Sequence, residues 1–231
     1  MNFFNYKSKK SFYNFHQHYY LEEGSILKNY SVDLSDNSNL NYIKTNIDLF
    51  KNSISENFII SQGSEYSKNE ISCNLIDQHS SAFVNGIIKL DNQKKHEIRS
   101  KINHIAPNTK SYQLIKCILS DSSKAVYQGK IFVNKEAQKT DGYQLSKAIL
   151  LDQNTEFNAK PELEIYADDV KCSHGSSSGS LDDNKIFYLM TRGLDKNQSK
   201  KMLIDGFILD VVDKITNLNV RKTIKNILGI K

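Results

Sequence analysis

Two side chains near the end of the predicted β region have the chemistry of metal ligands. Cys172 and His174 are two residues apart. In a β-strand such residues project to the same side, roughly 6.5–7 Å apart along the chain. Thiolate and imidazole are common ligands of iron, zinc and iron–sulfur clusters. Because two ligands cannot complete a tetrahedral site, a metal here would need ligands from elsewhere in the fold or from another chain.

An interpretation without metal is the stronger one from these residues alone. Val170 shares the strand parity of Cys172, so the cysteine can be a small core residue of the last strand. His174 precedes residues 175–179, a Gly/Ser segment that we interpret as a turn, so the histidine can be solvated.

The other candidate residues carry weaker signals. Asp168 and Asp169 could be paired carboxylates for acid/base work or calcium, but two acids after a strand are most often turn formers. The Gly/Ser segment matches neither phosphate-loop pattern, because GxxxxGK[ST] and GxGxxG are both absent. His16 and His18 lie among aromatic residues and are predicted to be on the surface, and His104 marks a strand end.

Composition favours an elongated protein in a reducing compartment. The chain has 231 residues, of which 39% are hydrophobic, which suits a narrow core with much solvated surface. The net charge of +5 is spread along the chain, so the small lysine clusters are interpreted as solvated faces and not as a nucleic-acid surface. Three widely separated cysteines and the lack of a long apolar segment predict a cytoplasmic protein without a disulfide framework or a membrane span.

Short strands dominate the predicted structure between residues 24 and 180. Residues 1–23 show no clear period and are predicted to be an irregular N-terminal segment. Alternation is clearest in two segments, which place Ala82, Val84, Gly86, Ile88 and Leu90 on one face of a strand, and Leu163, Ile165 and Ala167 on one face of another.

About ten strands with polar turns are compatible with a sandwich, a barrel or a β-solenoid. The chain has only 2 prolines, 10 glycines and no tryptophan, and it lacks a repeated hairpin-turn rhythm. A solenoid rung needs only a few inward apolar side chains stacked on neighbouring rungs. The composition therefore favours a solenoid.

Helical periodicity begins after Ser180, so residues 181–231 are predicted to form a small helical domain. Asp182 or Asp183 can cap the first helix, whose apolar face is Ile186, Phe187 and Met190. Asp195 and Gln198 have the spacing of a capping box. The second helix carries one apolar stripe, formed by Leu203, Ile204, Phe207, Ile208, Val211, Val212 and Ile215, and Asn217 or Asn219 can start a third helix.

The apolar stripe of the second helix has two interpretations, which we weigh equally. The stripe can pack onto the end of the β domain and close the solenoid, since a solenoid end must be capped in any case. It can also dock a partner protein.

Several segments resemble the SufD family of iron–sulfur cluster assembly scaffolds. The resemblance is strong over roughly the C-terminal half of the chain and looser from Gly24 to Tyr66. The matching segments are Ser67–Glu70, Asn85-Gly86, His104–Lys116 (HIAPNTKSYQLIK), Ala125–Asp141 (AVYQGKIFVNKEAQKTD), Ala148–Asp152 (AILLD), Lys160–Gly175 (KPELEIYADDVKCSHG) and Leu181–Gly193 (LDDNKIFYLMTRG).

The resemblance implies a fold, partners and a site. It implies a right-handed parallel β-helix followed by a C-terminal helical domain, in a non-catalytic scaffold subunit that pairs with a SufB-like scaffold. It also implies that the C-terminal helices bind a SufC-like ABC-type ATPase. The histidine of the family's C-S-H segment, here His174 with Cys172 beside it, is implicated at the interface where a nascent cluster forms.

The same resemblance sets expectations for the isolated chain. No cofactor is expected to bind it tightly, and iron or a nascent iron–sulfur cluster is expected only at the subunit interface. Family members usually carry an N-terminal helical region, so this chain is expected to be a short, N-terminally reduced member. The alternative from another class is a β-solenoid that binds or cleaves polysaccharide, which predicts exposed aromatic or acidic residues along one face.

Overall fold

The computed structural model describes residues 2–4, 10–35 and 38–230, which form thirteen strands and then three helices. The chain is mainly β, as the sequence predicted. The strands are β1 (Asn2–Phe4), β2 (Phe12–Leu21), β3 (Ile26–Asp33), β4 (Leu40–Leu49), β5 (Ile54–Ser61), β6 (Tyr66–Leu75), β7 (Ser81–Leu90), β8 (Lys95–His104), β9 (Lys110–Leu119), β10 (Lys124–Val133), β11 (Asp141–Leu150), β12 (Glu156–Ile165) and β13 (Lys171–Gly179).

The strands form two parallel sheets that wind into a solenoid of about six turns. The odd-numbered strands make a seven-stranded sheet, and the even-numbered strands make a six-stranded sheet. Each turn therefore contributes one strand to each sheet. Tyr66 pairs with Leu40 on one side and with Lys95 on the other. The sequence separations of these two pairs differ, so the number of residues in a turn varies along the chain. This variation explains why the sequence shows no fixed repeat.

The interior of the solenoid is a thin apolar core between the two sheets. The predicted alternation in β7 is confirmed, because Ala82, Val84, Ile88 and Leu90 all lie in this core. Cys73 and Cys117 are fully buried in the same cluster. Burial raises the pKa of Cys73 to about 12 and raises that of Cys117, so both thiols stay protonated and serve as small apolar side chains.

Left-handed residues other than glycine make many of the corners between strands. Asn52, Asn92, Asn108 and Asp121 have φ values between 51° and 58°. Asparagine and aspartate tolerate this conformation better than most residues, because their short side chains can bond locally to the backbone. The solenoid can therefore turn at many corners while the chain contains only 10 glycines.

The first 23 residues are not irregular throughout, contrary to the sequence prediction. Phe12–Leu21 forms β2, which pairs with β4 along its full length. Tyr19 and Leu21 pack against the interior core, whereas Phe12 and Tyr20 are exposed. Aromatic residues on both faces hide the alternation, so hydrophobicity alone did not reveal this strand. Residue 1 and residues 5–9 lie outside the described part of the chain.

The Gly/Ser segment is a strand and not the predicted turn. Residues 175–179 continue β13, and Ser176 pairs with Ser146 of β11. Glycine and serine have low intrinsic strand propensity, so this segment takes its conformation from the backbone hydrogen bonds that the neighbouring strand offers.

The three helices are α1 (Asp183–Thr191), α2 (Lys196–Val212) and α3 (Leu218–Leu228), and their predicted caps are confirmed. Asp182 caps α1 by accepting from two backbone N–H groups. Asp195 and Gln198 form the predicted capping box of α2. Asn217 caps α3, which ends at Gly229 in the left-handed conformation.

The helices pack on the outer face of the seven-stranded sheet and do not close the end of the solenoid, as one sequence interpretation had them do. One buried cluster joins residues of β3, β5, β7 and β9 to residues of α2 and α3. Its members include Tyr30, Val32, Phe58, Ile60, Ile87, Leu114, Ile118, Ile208, Val211, Val212, Ile215, Ile224 and Leu228. The sheet therefore has two apolar faces, one toward the interior and one toward the helices.

A nearly buried lysine fixes α2 to the sheet. Lys116 Nζ on β9 donates to the carbonyl of Phe207 and lies 2.7 Å from the Asp210 carboxylate. The Phe207 ring also lies 4.5 Å from this ammonium group. A charged group that is desolvated in this way is stable only with such partners, so the contact fixes the position of the helix along the sheet.

Candidate functional site

The C-terminal end of the solenoid is formed by β12 and β13, which we call the terminal rung. Each of these strands is the last of its sheet, so in the described part of the chain no strand pairs with their outer edges. Such edges carry unpaired backbone N–H and C=O groups that can pair with strands of another chain. Both predicted metal-ligating residues lie on this rung.

Cys172 faces the interior of the terminal rung, as its shared parity with Val170 predicted. It packs with Ile131 and Val133 and is only partly exposed. Burial raises the pKa of its thiol, and a backbone hydrogen bond from Gly142 opposes that effect. A thiol in this environment is a weaker nucleophile and metal ligand than a thiolate, so the geometry favours a packing role.

His174 follows on the same face of β13 but is exposed. It pairs in register with Gln144 of β11, whose side chain is fully buried. The difference arises because β11 is covered by β13, whereas no described strand covers β13. The imidazole is therefore an interior-facing side chain that is accessible only because the solenoid ends there.

A column of hydrogen-bonded polar side chains runs through the interior below His174. Ser100 Oγ donates to Gln113 Oε1, and the Tyr127 hydroxyl lies 3.3 Å from the same oxygen. Gln113 Nε2 then donates to Gln144 Oε1 at 3.4 Å. The column ends at Gln144 Nε2, which is buried and has no hydrogen-bond partner. Buried polar atoms are rarely left without a partner, so this end of the column requires an explanation.

Gly129 makes the space that this column occupies. A Cβ at this position would lie 2.5 Å from both Gln144 Nε2 and the Tyr127 hydroxyl. The glycine is needed here for close approach and not for backbone freedom, since its φ is not positive. Neither Gln144 nor Gly129 was predicted from the sequence to be a site residue. The available signal was a glutamine at an inward-facing position of an alternating strand.

The remaining sequence candidates have structural roles. His104 is fully buried and lies 2.7 Å from Thr109 Oγ1 and 2.9 Å from Ser111 Oγ, and burial lowers its pKa to about 4. Asp169 sits in a corner, where its N–H donates to the Gln138 side chain.

His16 and His18 are exposed on β2, as predicted, at the opposite end of the solenoid from His174. His18 Nε2 lies 2.9 Å from the Asp48 carboxylate. Both residues are therefore too far along the solenoid to contribute to a site on the terminal rung.

A metal site within this chain would need more ligands than the terminal rung supplies. Among the described residues, no three His, Cys, Asp or Glu side chains lie together in a way that could hold a metal ion. Cys172 and His174 thus present two donor side chains at an open edge. Among these residues too, none of the helices combines the length and apolar character required to span a membrane.

An aromatic row lies on the outer face of the seven-stranded sheet, and it bears on the polysaccharide alternative, which predicted exposed aromatic or acidic residues along one solenoid face. Phe83, Tyr112 and Tyr143 occupy paired positions, and the two tyrosine rings stack at 5.2 Å. Lys214, just beyond α2, lies 4.6 Å from the Tyr112 ring centroid, and all three rings are only partly exposed. The row is therefore partly covered by the chain's own helical region.

An exposed apolar patch lies on the hairpin of α1 and α2. Its members are Phe187, Tyr188 and Met190 of α1 and Met202 of α2, and Phe187 is 68% exposed. Only Ile186 of the predicted apolar face of α1 is buried. Large apolar side chains that stay exposed on neighbouring helices are a candidate protein interaction site.

The architecture defines a β-solenoid whose donor residues lie on an open edge and not in a cleft. Comparison with known proteins identifies the family. Residues 2–207 match the family described as SUF system FeS cluster assembly, SufBD core domain. The chain therefore belongs to the SufBD core family.

Curated relatives point to the SufD branch of this family. The chain is 29% identical to the iron–sulfur cluster assembly protein SufD of Escherichia coli over 216 residues, which are 87% of this chain and 50% of that protein. It is 39% identical to the chloroplastic protein ABCI7 of Arabidopsis thaliana over 136 residues, which are 58% of this chain and 29% of that protein.

A third comparison is with the SufD protein of Plasmodium falciparum, which is 24% identical over 140 residues, 60% of this chain and 10% of that protein. The chain thus spans at most half the length of these relatives. The names of the two SufD proteins and the matched family support a role in iron–sulfur cluster assembly. Because one relative is chloroplastic, membership of the family does not by itself place the chain in the cytoplasm.

Proposed function

We propose that the chain is a non-catalytic scaffold subunit of a Suf-type assembly complex, in which it pairs with a SufB-like scaffold and binds a SufC-like ATPase. The single observation that carries the proposal is the open terminal rung, which presents His174 at an edge that another β-helix can extend. Family membership supplies the cluster chemistry.

The edges of β12 and β13 are the surface proposed for the SufB-like partner. Strands of a second β-helix can continue both sheets across these edges, with backbone hydrogen bonds providing affinity. The Ser-rich outer end of β13 carries no bulky side chain between Gly175 and Gly179 that would hinder such pairing. Pairing would cover His174 and bring donor groups of the partner beside it.

His174 is proposed to be this chain's contribution to a shared site for the nascent cluster, which is the cargo of the complex. An exposed imidazole can contact the cluster without displacing any packed residue. Cys172 is a weaker candidate, because its thiol is partly buried among apolar side chains and its pKa is raised. A shared site agrees with the ligand count, since two donors cannot hold a cluster alone.

The apolar patch on α1 and α2 is the surface proposed for the ATPase. One face of α2 is buried against the sheet through Ile208, Val211 and Val212, so that face is unavailable to a partner. The patch around Phe187 remains exposed and sits on a hairpin that the sheet holds in place. Exposed aromatic and methionine side chains are enriched at protein interfaces.

Co-purification tests the proposal. The tagged chain is co-expressed with a SufB-like scaffold and a SufC-like ATPase, and both are expected to co-elute. Combining Phe187→Ser with Met190→Ser is expected to reduce ATPase recovery at least about tenfold while SufB-like recovery is retained. Leu218→Ser is the matched control, since Leu218 is an exposed apolar residue of α3 outside the patch. Recovery of neither partner with the unmodified chain would overturn the proposal.

A further inference from the structure

The unpaired end of the interior polar column points to a specific partner. Gln144 Nε2 is an N–H donor inside the solenoid with no acceptor. A buried donor without a partner destabilises the fold by the free energy of its desolvation. A hydrogen bond made at this position would offset most of that desolvation free energy. The terminal rung is the neighbouring layer above Gln144, and the residue paired with Gln144 on it is His174.

The direction of the hydrogen bonds along the column fixes which group Gln144 offers. The Ser100 hydroxyl donates to Gln113 Oε1, and the Tyr127 hydroxyl donates to the same oxygen. Gln113 Nε2 therefore donates to Gln144 Oε1, and the remaining group of Gln144 is its Nε2–H. The unpaired group at the end of the column is therefore a donor and not an acceptor.

His174 can supply the missing acceptor. A neutral imidazole has one N–H and one nitrogen with a free lone pair, and the hydrogen bond at one nitrogen decides which nitrogen carries the proton. Paired residues on neighbouring parallel strands have their backbones about 4.8 Å apart and their side chains on the same face. A rotation of the exposed His174 ring therefore brings a ring nitrogen toward the Gln144 amide.

We infer that Gln144 is a positioning residue for His174, and that its Nε2–H donates to the ring nitrogen that faces the interior. This hydrogen bond selects the tautomer whose outward nitrogen carries the proton. The free chain then presents an N–H donor at the terminal rung. Such a group recognises an acceptor, for example a sulfide of the cargo or a thiolate of the partner.

The hydrogen bond between Gln144 and His174 also has a consequence for the shared site, and that consequence rests on the proposed function. A metal can bind the outward nitrogen only when that nitrogen has no proton. Ligation of a metal by His174 would therefore require the other tautomer, and the hydrogen bond from Gln144 would have to break. The polar column thus sets His174 as a hydrogen-bond donor first and a metal ligand second.

Ring ¹⁵N spectra of the full chain, labelled at histidine, test the inference. The chain has six histidines, and the His174 signals are assigned by their loss in His174→Ala. In the unmodified chain at neutral pH, one neutral tautomer of His174 is expected to dominate. In Gln144→Met, which keeps the length of the side chain and removes the donor, the tautomer ratio is expected to change by about fivefold toward that of an imidazole in water.

Tyr127→Phe is the matched control, because it removes a hydroxyl from the same column and leaves the Gln144 amide in place. Its tautomer ratio is expected to stay that of the unmodified chain. An unchanged ratio in folded Gln144→Met would overturn the inference. If Gln144→Met fails to fold, scalar coupling across the hydrogen bond between Gln144 Nε2 and the His174 ring in the unmodified chain decides, and its absence overturns the inference.

The outcomes separate this inference from the proposed function. A cluster-assembly defect of His174→Ala with no effect of Gln144→Met on the tautomer would uphold the proposed function and overturn the role of Gln144. The expected tautomer shift with fully active His174→Ala would uphold the hydrogen bond and overturn the role of His174 in assembly.

Discussion

Gln144 and His174 are paired residues on neighbouring strands, yet Gln144 is fully buried and His174 is exposed. Both side chains project toward the interior of the solenoid. A further strand covers Gln144, whereas no described strand covers His174. The end of the solenoid thus converts a core position into an accessible one, and this is the basis of the proposed site.

His174→Ala tests the role of the exposed imidazole. In a strain that depends on the Suf system, the variant is expected to reduce cluster delivery at least about tenfold, because Cys172, the other donor on this face of the rung, is partly buried among apolar side chains. Its thermal unfolding midpoint should match that of the unmodified chain, since an exposed side chain contributes little to stability. Activity of an iron–sulfur enzyme in cell extract is the measurement.

The control for this prediction is His16→Ala. His16 is also exposed, but it lies on β2 at the other end of the solenoid. This variant is expected to support normal cluster delivery. Equal activity of the two variants would show that His174 has no special role.

Gly129→Ala is expected to destabilise the fold by roughly 1–3 kcal/mol, because the new Cβ would lie 2.5 Å from Gln144 Nε2 and from the Tyr127 hydroxyl. The column between the sheets must move or break. Urea unfolding followed by circular dichroism measures the change. Gly142→Ala is the control, since its nearest neighbours lie at 3.3 Å or more, and a similar loss in both variants would contradict the packing argument.

Gly206→Ala is expected to stabilise the chain by up to about 1 kcal/mol. Gly206 lies in the interior of α2, is exposed, and has no atom within 4 Å of the position of a new Cβ. Alanine lowers the conformational entropy of the unfolded chain without a clash in the helix. A decrease in the thermal unfolding midpoint would show that this part of α2 is packed against something in solution.

Acid is expected to destabilise the fold through His104. Burial lowers its folded-state pKa to about 4, below the pKa of 6.5 that an unburied histidine has in the unfolded chain. Between these pH values the unfolded chain binds a proton that the folded chain does not bind. The stability contribution of the neutral ring is therefore complete above about pH 6.5 and falls as the pH is lowered to about 4, by up to roughly 3 kcal/mol.

Urea unfolding at pH 7, 6, 5 and 4 measures this dependence, and His104→Gln separates the histidine from other groups. The variant is expected to be less stable at pH 7, because the ring bonds two buried hydroxyls, and to lose less stability between pH 6.5 and 4. His96, whose pKa is also lowered by burial, remains in the variant and maintains part of the slope. A parallel dependence in both proteins would contradict the assignment to His104.

Much of the fold was predictable from local pattern. Alternation along β7 assigned Ala82 and Ile88 to the interior, and capping residues such as Asp195 located the helices. These features depend on side chains that are close in sequence, so they can be inferred from the sequence alone. The positions of Cys172 and His174 on one strand face followed for the same reason.

Strand β2 and the Gly/Ser half of β13 were not predictable in this way. The aromatic residues of β2 conceal its alternation, and the glycine and serine residues of β13 have low strand propensity. Both segments become strands because a neighbouring strand already offers a row of backbone hydrogen-bonding groups. That contribution comes from residues about one turn away in sequence.

The sequence by itself determined the alternation of strand faces, the helix caps and the pair of donor side chains at Cys172 and His174. Tertiary structure alone decided that α2 packs on the outer face of the sheet, that Gln144 pairs with His174, and that His174 stays uncovered. The reason is physical: strand register and the docking of a helix are set by contacts between distant segments, and turns of unequal length leave no fixed repeat from which those contacts could be inferred.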